Sequence, residues 1–497
     1  MRRENPFWNK KNDVFQFYDL PELSQDKSFL ANESLNPSRL LKPEIEAIAS
    51  NIRVVLSKLM NTIPIGIIRC IFLKSIVMES SRILIKQNSK GLRDDQKIKG
   101  TSKILCITHF IGKSQGVYKD MYFGDFFGNY RKDEISYYFI NQTSLGVKDV
   151  TKYLKSNFHF DFKVGEKTPS FRTLAKLLIE QYKGAIKLLI LLNSKLPNIT
   201  GSQLLLTLNG QFCRAAINNL LITSSILKYI RHNNLDRIVI TFEGNAYESC
   251  LYHEISRRFP EIEFILLQHA PVTPKHIGIR NQLGRILDNA TIGTSGYYTA
   301  RIFQGEITNS NFNKVEVFGS NKFRSPQTQI PRKLAKICLI APEGIQSAVE
   351  EMLDLSLILA SEMQDVHFVF RVHPVLGDHL EKLKTLHKSK FNNFEISTKS
   401  IEEDFIRSGV CIYRGSSVAI EGAAFGVIPI FFCKEGETGR DPINLDNHGN
   451  FQTNEPRQVI EKIRDLESLS EDSFCIIVDE LRAYSVDYFA PLKPIHR

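Results

Sequence analysis

Beyond about residue 103 the chain alternates between short apolar runs rich in β-branched residues and longer stretches whose apolar positions recur with helical spacing. That is the pattern of parallel βαβ units. The runs Lys103–Thr108, Ser136–Asn141, Arg237–Phe242, Glu263–Gln268 and Ala290–Gly293 read as strands of a first series. A mostly helical stretch from Thr168 to His232 separates the second from the third. A second series starts later, at Val315–Phe318, Lys336–Ala341, His367–Val372, Phe394–Ser397, Val410–Tyr413 and Val427–Phe432. Helices are predicted within it at Ile345–Glu362 and Ser416–Phe425, and the stretch from Glu455 to Tyr488 reads as helical again. The expected fold class is α/β, with two Rossmann-type doubly wound domains facing across a cleft and extra helices at the N-terminus.

The polar segment SNKFRSPQTQIPRK, with its two prolines, reads as the hinge between the two series. The expected units are an N-terminal helical extension (1–100), a first Rossmann-like domain (101–318), a linker (319–333), a second Rossmann-like domain (334–480) and a C-terminal tail packing back (481–497). In the extension, Ile52–Lys86 is a long helical pattern with six basic residues and one acid, Glu79, divided by Pro64 and Gly66. Such a face suits an anionic lipid surface. It equally suits helices packed on the domain with solvated lysines, and the residues leave both open.

Composition narrows the class. With 42% apolar and 24% charged residues, 497 residues are enough for sizeable cores. The excess of 64 Lys and Arg over 54 Asp and Glu is too dilute for a dedicated nucleic-acid binder, and basic residues are not interleaved with aromatics as in a single-strand groove. No nucleic-acid partner is expected; an anionic small molecule or membrane surface fits better. Eight scattered cysteines without a CxxC pair point to a reducing compartment, with neither a disulfide framework nor a zinc site. The polar start MRRENPFWNKKNDVF lacks the apolar core of a signal peptide, and no run of about 20 uncharged apolar residues could span a bilayer. The expected location is cytoplasmic.

Ligands of doubly wound sheets lie at the carboxyl ends of the strands, so the residues there are the candidates. Glu243, after an apolar strand and beside Gly244, can take a proton from an attacking hydroxyl; it can also serve as a cap for the helix starting near Ala246. Asn245 follows in the same turn. His269, in QHAPVTP, can orient an acceptor or a phosphate, or be a packed core histidine. His373-Pro374 offers an imidazolium to a phosphate or carboxylate, with Arg371 on the same strand face, or is simply a turn. Gly415-Ser416-Ser417 places hydroxyls and backbone N–H groups where an anion can sit, with Glu421 one turn along able to accept from a ribose; the alternative is an ordinary cap. Asp125, in YFGDFFGNY, can touch an acceptor but more ordinarily closes a turn. GxxxxGK[ST], HExxH, GxSxG and DxD-type metal motifs are missing, so neither a metal nor a bound cofactor is expected.

The order Glu-Gly, Gln-His, His-Pro and Gly-Ser-Ser-Val…Glu, from roughly Lys103 to Phe432, resembles GT-B glycosyltransferases that use CMP-activated acidic sugars. These include bacterial polysialyltransferases and the Kdo transferases of capsule assembly. The run from TFEGNAYE to QHAPVTP also looks like surface-carbohydrate (O-antigen) biosynthesis proteins. The resemblance implies a GT-B-like fold and transfer of a nonulosonic acid or Kdo-type sugar from a CMP-sugar co-substrate to a glycan acceptor, lipid-linked forms included. It implies Glu243 as base, although Phe242 stands where the family has another acid. His373 would be catalytic and nucleotide-binding, with Arg371, Pro374, Gly415, Ser416, Ser417 and Glu421 around the nucleotide and Asp125, Asn245 and His269 toward the acceptor. The cell membrane's inner face would then be a peripheral location. Teichoic-acid polymerases that use CDP-glycerol are also similar, but here Gln-His-Ala stands for His-Gly and Glu421 where Asp is usual. A non-catalytic two-domain nucleotide-binding protein and a UDP-preferring epimerase are the remaining readings.

Overall fold

The computed structural model describes residues 102–495 apart from 114–116, 144, 166–170, 196–213, 274–277, 280–282, 284–289, 308–313, 327–331, 374–375, 377–390, 435–440 and 446–450. The expected N-terminal extension, with its basic helices at Ile52–Lys86, lies outside the described residues, as does Pro374.

Among the described residues the strands form two all-parallel sheets. The first has seven strands: β1 (Ile104–Phe110), β2 (Ile135–Asn141), β3 (Asp161–Val164), β4 (Arg237–Thr241), β5 (Glu263–Leu267), β6 (Ala290–Thr294) and β7 (Lys314–Val317), in the order β3-β2-β1-β4-β5-β6-β7. The second has six: β8 (Ile337–Ala341), β9 (His367–Phe370), β10 (Phe394–Ile396), β11 (Val410–Tyr413), β12 (Ile428–Phe432) and β13 (Phe451–Thr453), in the order β10-β9-β8-β11-β12-β13. This is the expected GT-B-like pair of Rossmann-type sheets. In each, the chain starts mid-sheet, winds to one edge and returns to the strand beside its start. The order therefore reverses between β1 and β4, where Ile104 faces Arg237, and between β8 and β11, where Cys338 faces Val410. Crevices open at such reversals.

The central strands are apolar on both faces because helices cover both faces. Every residue of β1 and β2 is buried. One face of the first sheet buries Ile107, Ile238, Ile240 and Leu266 with the aliphatic side of the helices α3 (Arg214–Ile230) and α4 (Ala246–Arg258). The opposite face is aromatic, built from Phe123, Phe126, Tyr137, Phe139 and Phe158. The helices α1 (Val147–Asn157) and α2 (Phe171–Lys195) precede these in the chain, and α5 (Tyr297–Glu306) follows β6. Around the second sheet lie α6 (Gln346–Glu362), α7 (Ile401–Arg407), α8 (Val418–Ala423), α9 (Pro456–Glu467) and α10 (Glu471–Tyr488).

Three expectations change. Val315–Phe318, read as opening the second series, is strand β7 of the first sheet, with Thr291 of β6 opposite Lys314. Two strands were not foreseen: β3 is an edge strand with only Val164 buried, and β13 is a three-residue edge, so neither has the apolar run that marks a central strand. The helix expected over Ser416–Phe425 is the short α8.

The last helix joins the halves. Ser485 Oγ donates to the Ile420 carbonyl at 2.7 Å in the second half, while Tyr488 Oη accepts the Val272 N–H at 2.7 Å in the first. The chain then runs back along the first sheet: Ala490 N–H to Ser295 O at 2.8 Å, Lys493 N–H to Phe318 O at 2.7 Å and Ile495 N–H to Phe126 O at 3.2 Å. Gly296 packs so tightly under this helix end that a Cβ there would sit 2.2 Å from the Tyr488 carbonyl oxygen.

Candidate functional site

At the first reversal, β4 ends in Thr241 and the turn Glu243–Asn245 leads into α4. Gly244 has φ +80, and a Cβ there would lie 2.6 Å from the Ile279 backbone nitrogen, so glycine is required both by conformation and by the close approach. The N-cap of α4 is Asn245, and the Glu248 carboxyl completes its capping box: Oε2 accepts the N–H groups of Glu243 at 3.0 Å and Asn245 at 2.9 Å. The alternative reading of Glu243 as the cap is therefore filled by another residue. Asn245, expected toward the acceptor, spends its side-chain amide on Glu248 Oε1 at 3.1 Å.

Behind this turn runs a buried polar chain. Thr241 Oγ1 lies 3.0 Å from Glu248 Oε1, and the Tyr247 hydroxyl lies 3.5 Å from it. The same hydroxyl is bonded to His109 Nε2 at 2.8 Å, and His109 Nδ1 to Gln142 Nε2 at 3.0 Å. His109 is the penultimate residue of β1, so the chain spans the reversal. Burial, with the Glu243 carboxylate as a second cause, raises Glu248 to about 8. Its folded pKa thus exceeds the ordinary 4.5, and the stability it contributes is complete below about pH 4.5 and lost as pH rises through 8. Glu248→Gln should flatten the fall of thermal stability between pH 5 and 8, a slope of at most about 1.4 kcal/mol per pH unit. Identical pH profiles for the two proteins would contradict this.

His269 follows β5, half-buried, with its ring 4.8 Å from that of Tyr122, which in turn lies 5.4 Å from His109. Burial, Lys322 and His109 hold its imidazole well below the usual value, so it is neutral.

At the second reversal, Glu343-Gly344 follows β8 and Arg414-Gly415-Ser416-Ser417 follows β11. The Arg414 guanidinium binds Glu351 at 2.5 Å and approaches Glu343 at 3.8 Å. The His373 ring packs over Gly344, where a Cβ would stand 2.9 Å from Nδ1, and the His373 carbonyl accepts the Leu376 N–H at 2.9 Å. The loops after β8, β9 and β11 therefore approach one another around Glu343-Gly344. Gly415 has φ +65, the left-handed conformation in which it turns the chain. Ser416 Oγ accepts the Val418 N–H at 3.3 Å, and Ser417 Oγ donates to Glu421 Oε1 at 3.3 Å. Glu421 is buried and ion-paired with Arg324 at 3.1 Å, so the carboxylate expected to face a ribose already has protein partners. The expected imidazolium at His373 is not what the fold favours: burial, and then Lys322, lower its pKa, so the ring is neutral at pH 7.

Two candidates have other tasks. Arg371 Nη1 donates to Asp404 Oδ2 and to the Lys399 carbonyl, both at 2.8 Å, neutralising a carboxylate that is fully buried beside Ser397 and Arg407. Asp125 is exposed and paired with the exposed Lys119 at 2.9 Å, an arrangement worth little in water.

Lys322 was not singled out from the sequence. It sits after β7 in the connection between the sheets, and its Nζ donates to the His269 carbonyl at 3.3 Å. Its charge acts on His269, His373 and Glu421, and the Glu243 and Glu421 carboxylates act on it in turn, while burial lowers its own pKa. Groups from both sheets thus lie within electrostatic reach of one ammonium. No signal in SNKF marks it; only the tertiary approach of the two sheets does. His109, Tyr247 and Glu248 were also missed as a group, although β1 and β4 are the strands a Rossmann order places together. Among the described residues no three His, Cys, Asp or Glu side chains are grouped to hold a metal ion, and no helix is long and apolar enough to cross a membrane. An open hollow of about 480 Å³ lies among Tyr297, Pro326, Arg482 and Val486, and none of the strand-end candidates lines it.

No protein-family model matches the sequence, and no curated protein does. Among solved structures, Phytolacca americana UGT2 complexed with UDP-2fluoro-glucose and pterostilbene is similar over 78% of this chain and 95% of its own, at 11% identity and a TM-score of 0.46. The glycosyltransferase SnogD from Streptomyces nogalater is similar over 79% and 96%, at 13% identity and a TM-score of 0.42. A UDP-GlcNAc 2-epimerase from Neisseria meningitidis bound to UDP-GlcNAc matches over 78% and 97%, at 10% identity and a TM-score of 0.42. What those proteins bind belongs to them; the two-sheet architecture stated above rests on this chain's own strand pairing.

Proposed function

We propose that this chain is a glycosyltransferase that moves an acidic sugar, of the nonulosonic acid or Kdo type, from a CMP-activated donor to a glycan acceptor in bacterial surface-polysaccharide assembly. The observation that supports it most is that Lys322, in the connection between the sheets, donates to the His269 carbonyl and lies within electrostatic reach of Glu243 from the first sheet and of His373 and Glu421 from the second. In this reading the second half holds CMP, with His373, Ser416 and Ser417 at the phosphate. The first half presents the acceptor, and Glu243 removes its hydroxyl proton. The hydroxyl oxygen forms its bond to the anomeric carbon, the bond from that carbon to the phosphate oxygen breaks, and the electron pair leaves with CMP. Negative charge grows on the departing phosphate, so fixed donors there carry the largest catalytic effect. Protein donors suffice for that task, and transfer is expected to survive EDTA; loss of turnover under chelation, restored by a divalent cation, would refute metal independence. The enzyme works on the cytoplasmic side in this proposal, with membrane contact through residues 52–86, a part supported by the sequence alone.

A thermal-shift series with CMP, CDP, UDP, GDP and ADP tests the donor class. A rise in melting temperature with CMP beyond that with the other nucleotides is expected. A rise with UDP and none with CMP would overturn the donor assignment.

A further inference from the structure

We propose that Glu248 is the positioning residue for Glu243: its buried carboxyl holds the Glu243–Asn245 turn and ties it, through Tyr247, to His109 on the neighbouring strand. The inference rests on the reading of Glu243 as the proton acceptor and adds what sets that group's place and charge.

An ordinary capping box needs one carboxylate contact, to the N–H of the N-cap residue. Here Oε2 also takes the Glu243 N–H, two residues before the cap, while Oε1 meets Thr241 on β4 and the Asn245 amide. The Tyr247 hydroxyl, 3.5 Å from Oε1, continues the path to His109 at 2.8 Å and so to β1. From the other side, Gly244 is pressed against the Ile279 backbone. The Glu243 main chain is therefore fixed from two directions, which a helix cap does not require. Glu248 is only 1% exposed, whereas capping carboxylates usually stand in water. The titratable groups facing it are Glu243 in the turn, Tyr247 on α4 and, behind Tyr247, His109 on β1. Burial first, and the Glu243 carboxylate second, outweigh the hydrogen bonds that favour the ionised form, so Glu248 is raised to about 8 and keeps its proton at neutral pH. The group read as the proton acceptor thus has a neutral carboxyl, not a second carboxylate, behind its main chain.

The test reads the carboxyl groups themselves and needs no substrate. Full-length protein carrying ¹³C-carboxyl glutamate is titrated by NMR, with Glu243 assigned from its loss in Glu243→Gln. Wild type should show one glutamate losing its proton near pH 8, absent from Glu248→Gln. The Glu243 titration should be kept in Glu248→Gln and displaced by about one pH unit or more in Glu248→Ala. Where the alanine variant does not fold, Glu248→Asp draws the carboxyl back by one methylene and should displace Glu243 likewise. An unchanged Glu243 titration in the alanine or aspartate variant would overturn the proposal. Should Glu243→Gln leave turnover intact, the reading of Glu243 as base falls instead, whatever the titrations show.

Discussion

Replacing Glu243 by glutamine is expected to lower turnover by roughly 10²–10⁴-fold while nucleotide affinity stays near that of wild type. Glutamine keeps the size of the side chain and its hydrogen-bonding reach but cannot take a proton. The main-chain bond from Glu243 to Glu248 and the glycine-dependent turn do not involve the substituted group, so the fold should be retained. The split between turnover and binding follows from the separation of the halves: Glu243 lies after β4 of the first sheet, His373 and Ser417 after β9 and β11 of the second. Initial rates with a CMP-activated acidic sugar and a glycan acceptor, together with calorimetric titration of CMP, give both quantities. Undiminished turnover removes Glu243 from the mechanism; a parallel loss of CMP affinity would make it a donor-binding group instead.

Gly319→Ala should destabilise the protein by about 3 kcal/mol or more, because two penalties combine. Gly319 has φ +80, and a Cβ there would lie 2.1 Å from the Pro491 carbonyl oxygen. The tail cannot yield cheaply: Ser320 N–H donates to Ala490 O at 2.9 Å, and Lys493 N–H to Phe318 O. That tail continues α10, which is packed on the second sheet's α8 through Ser485. Pushing it off the first sheet should loosen the strap between the halves, so that calorimetry shows two separated unfolding transitions in place of coupled ones. A single transition within about a degree of wild type would contradict the role given to this contact.

The strand series and both sheets were legible in the sequence because parallel strands buried on both faces need unbroken apolar runs, as in ILCITHF and IPIFF. The strands that escaped notice, β3 and β13, are edges with half-exposed residues and carry no such run. Strand ends also pointed to Glu243, His269, His373 and Ser417, since order along the chain marks where each strand stops. What each side chain does there was less legible. Arg371 looked like a ligand group from its spacing, but Asp404, distant in sequence, captures it. Glu421 has the helical position expected of a ribose acceptor, yet Arg324 from the connection between sheets binds it. In both cases the competing partner comes from a separate element, and local spacing carries no information about it.

By itself, then, the sequence determined which segments are the central strands, that both halves wind around parallel sheets, and several of the ionisable residues at the strand ends, because those properties depend on local hydrophobic periodicity and on where it breaks. Only the tertiary structure decided that His109 reaches Tyr247 across the β1–β4 reversal and that Lys322 lies within electrostatic reach of groups from both sheets. Those outcomes depend on distances between elements far apart in the chain, and on burial that changes the charge of a group without changing the residue that bears it.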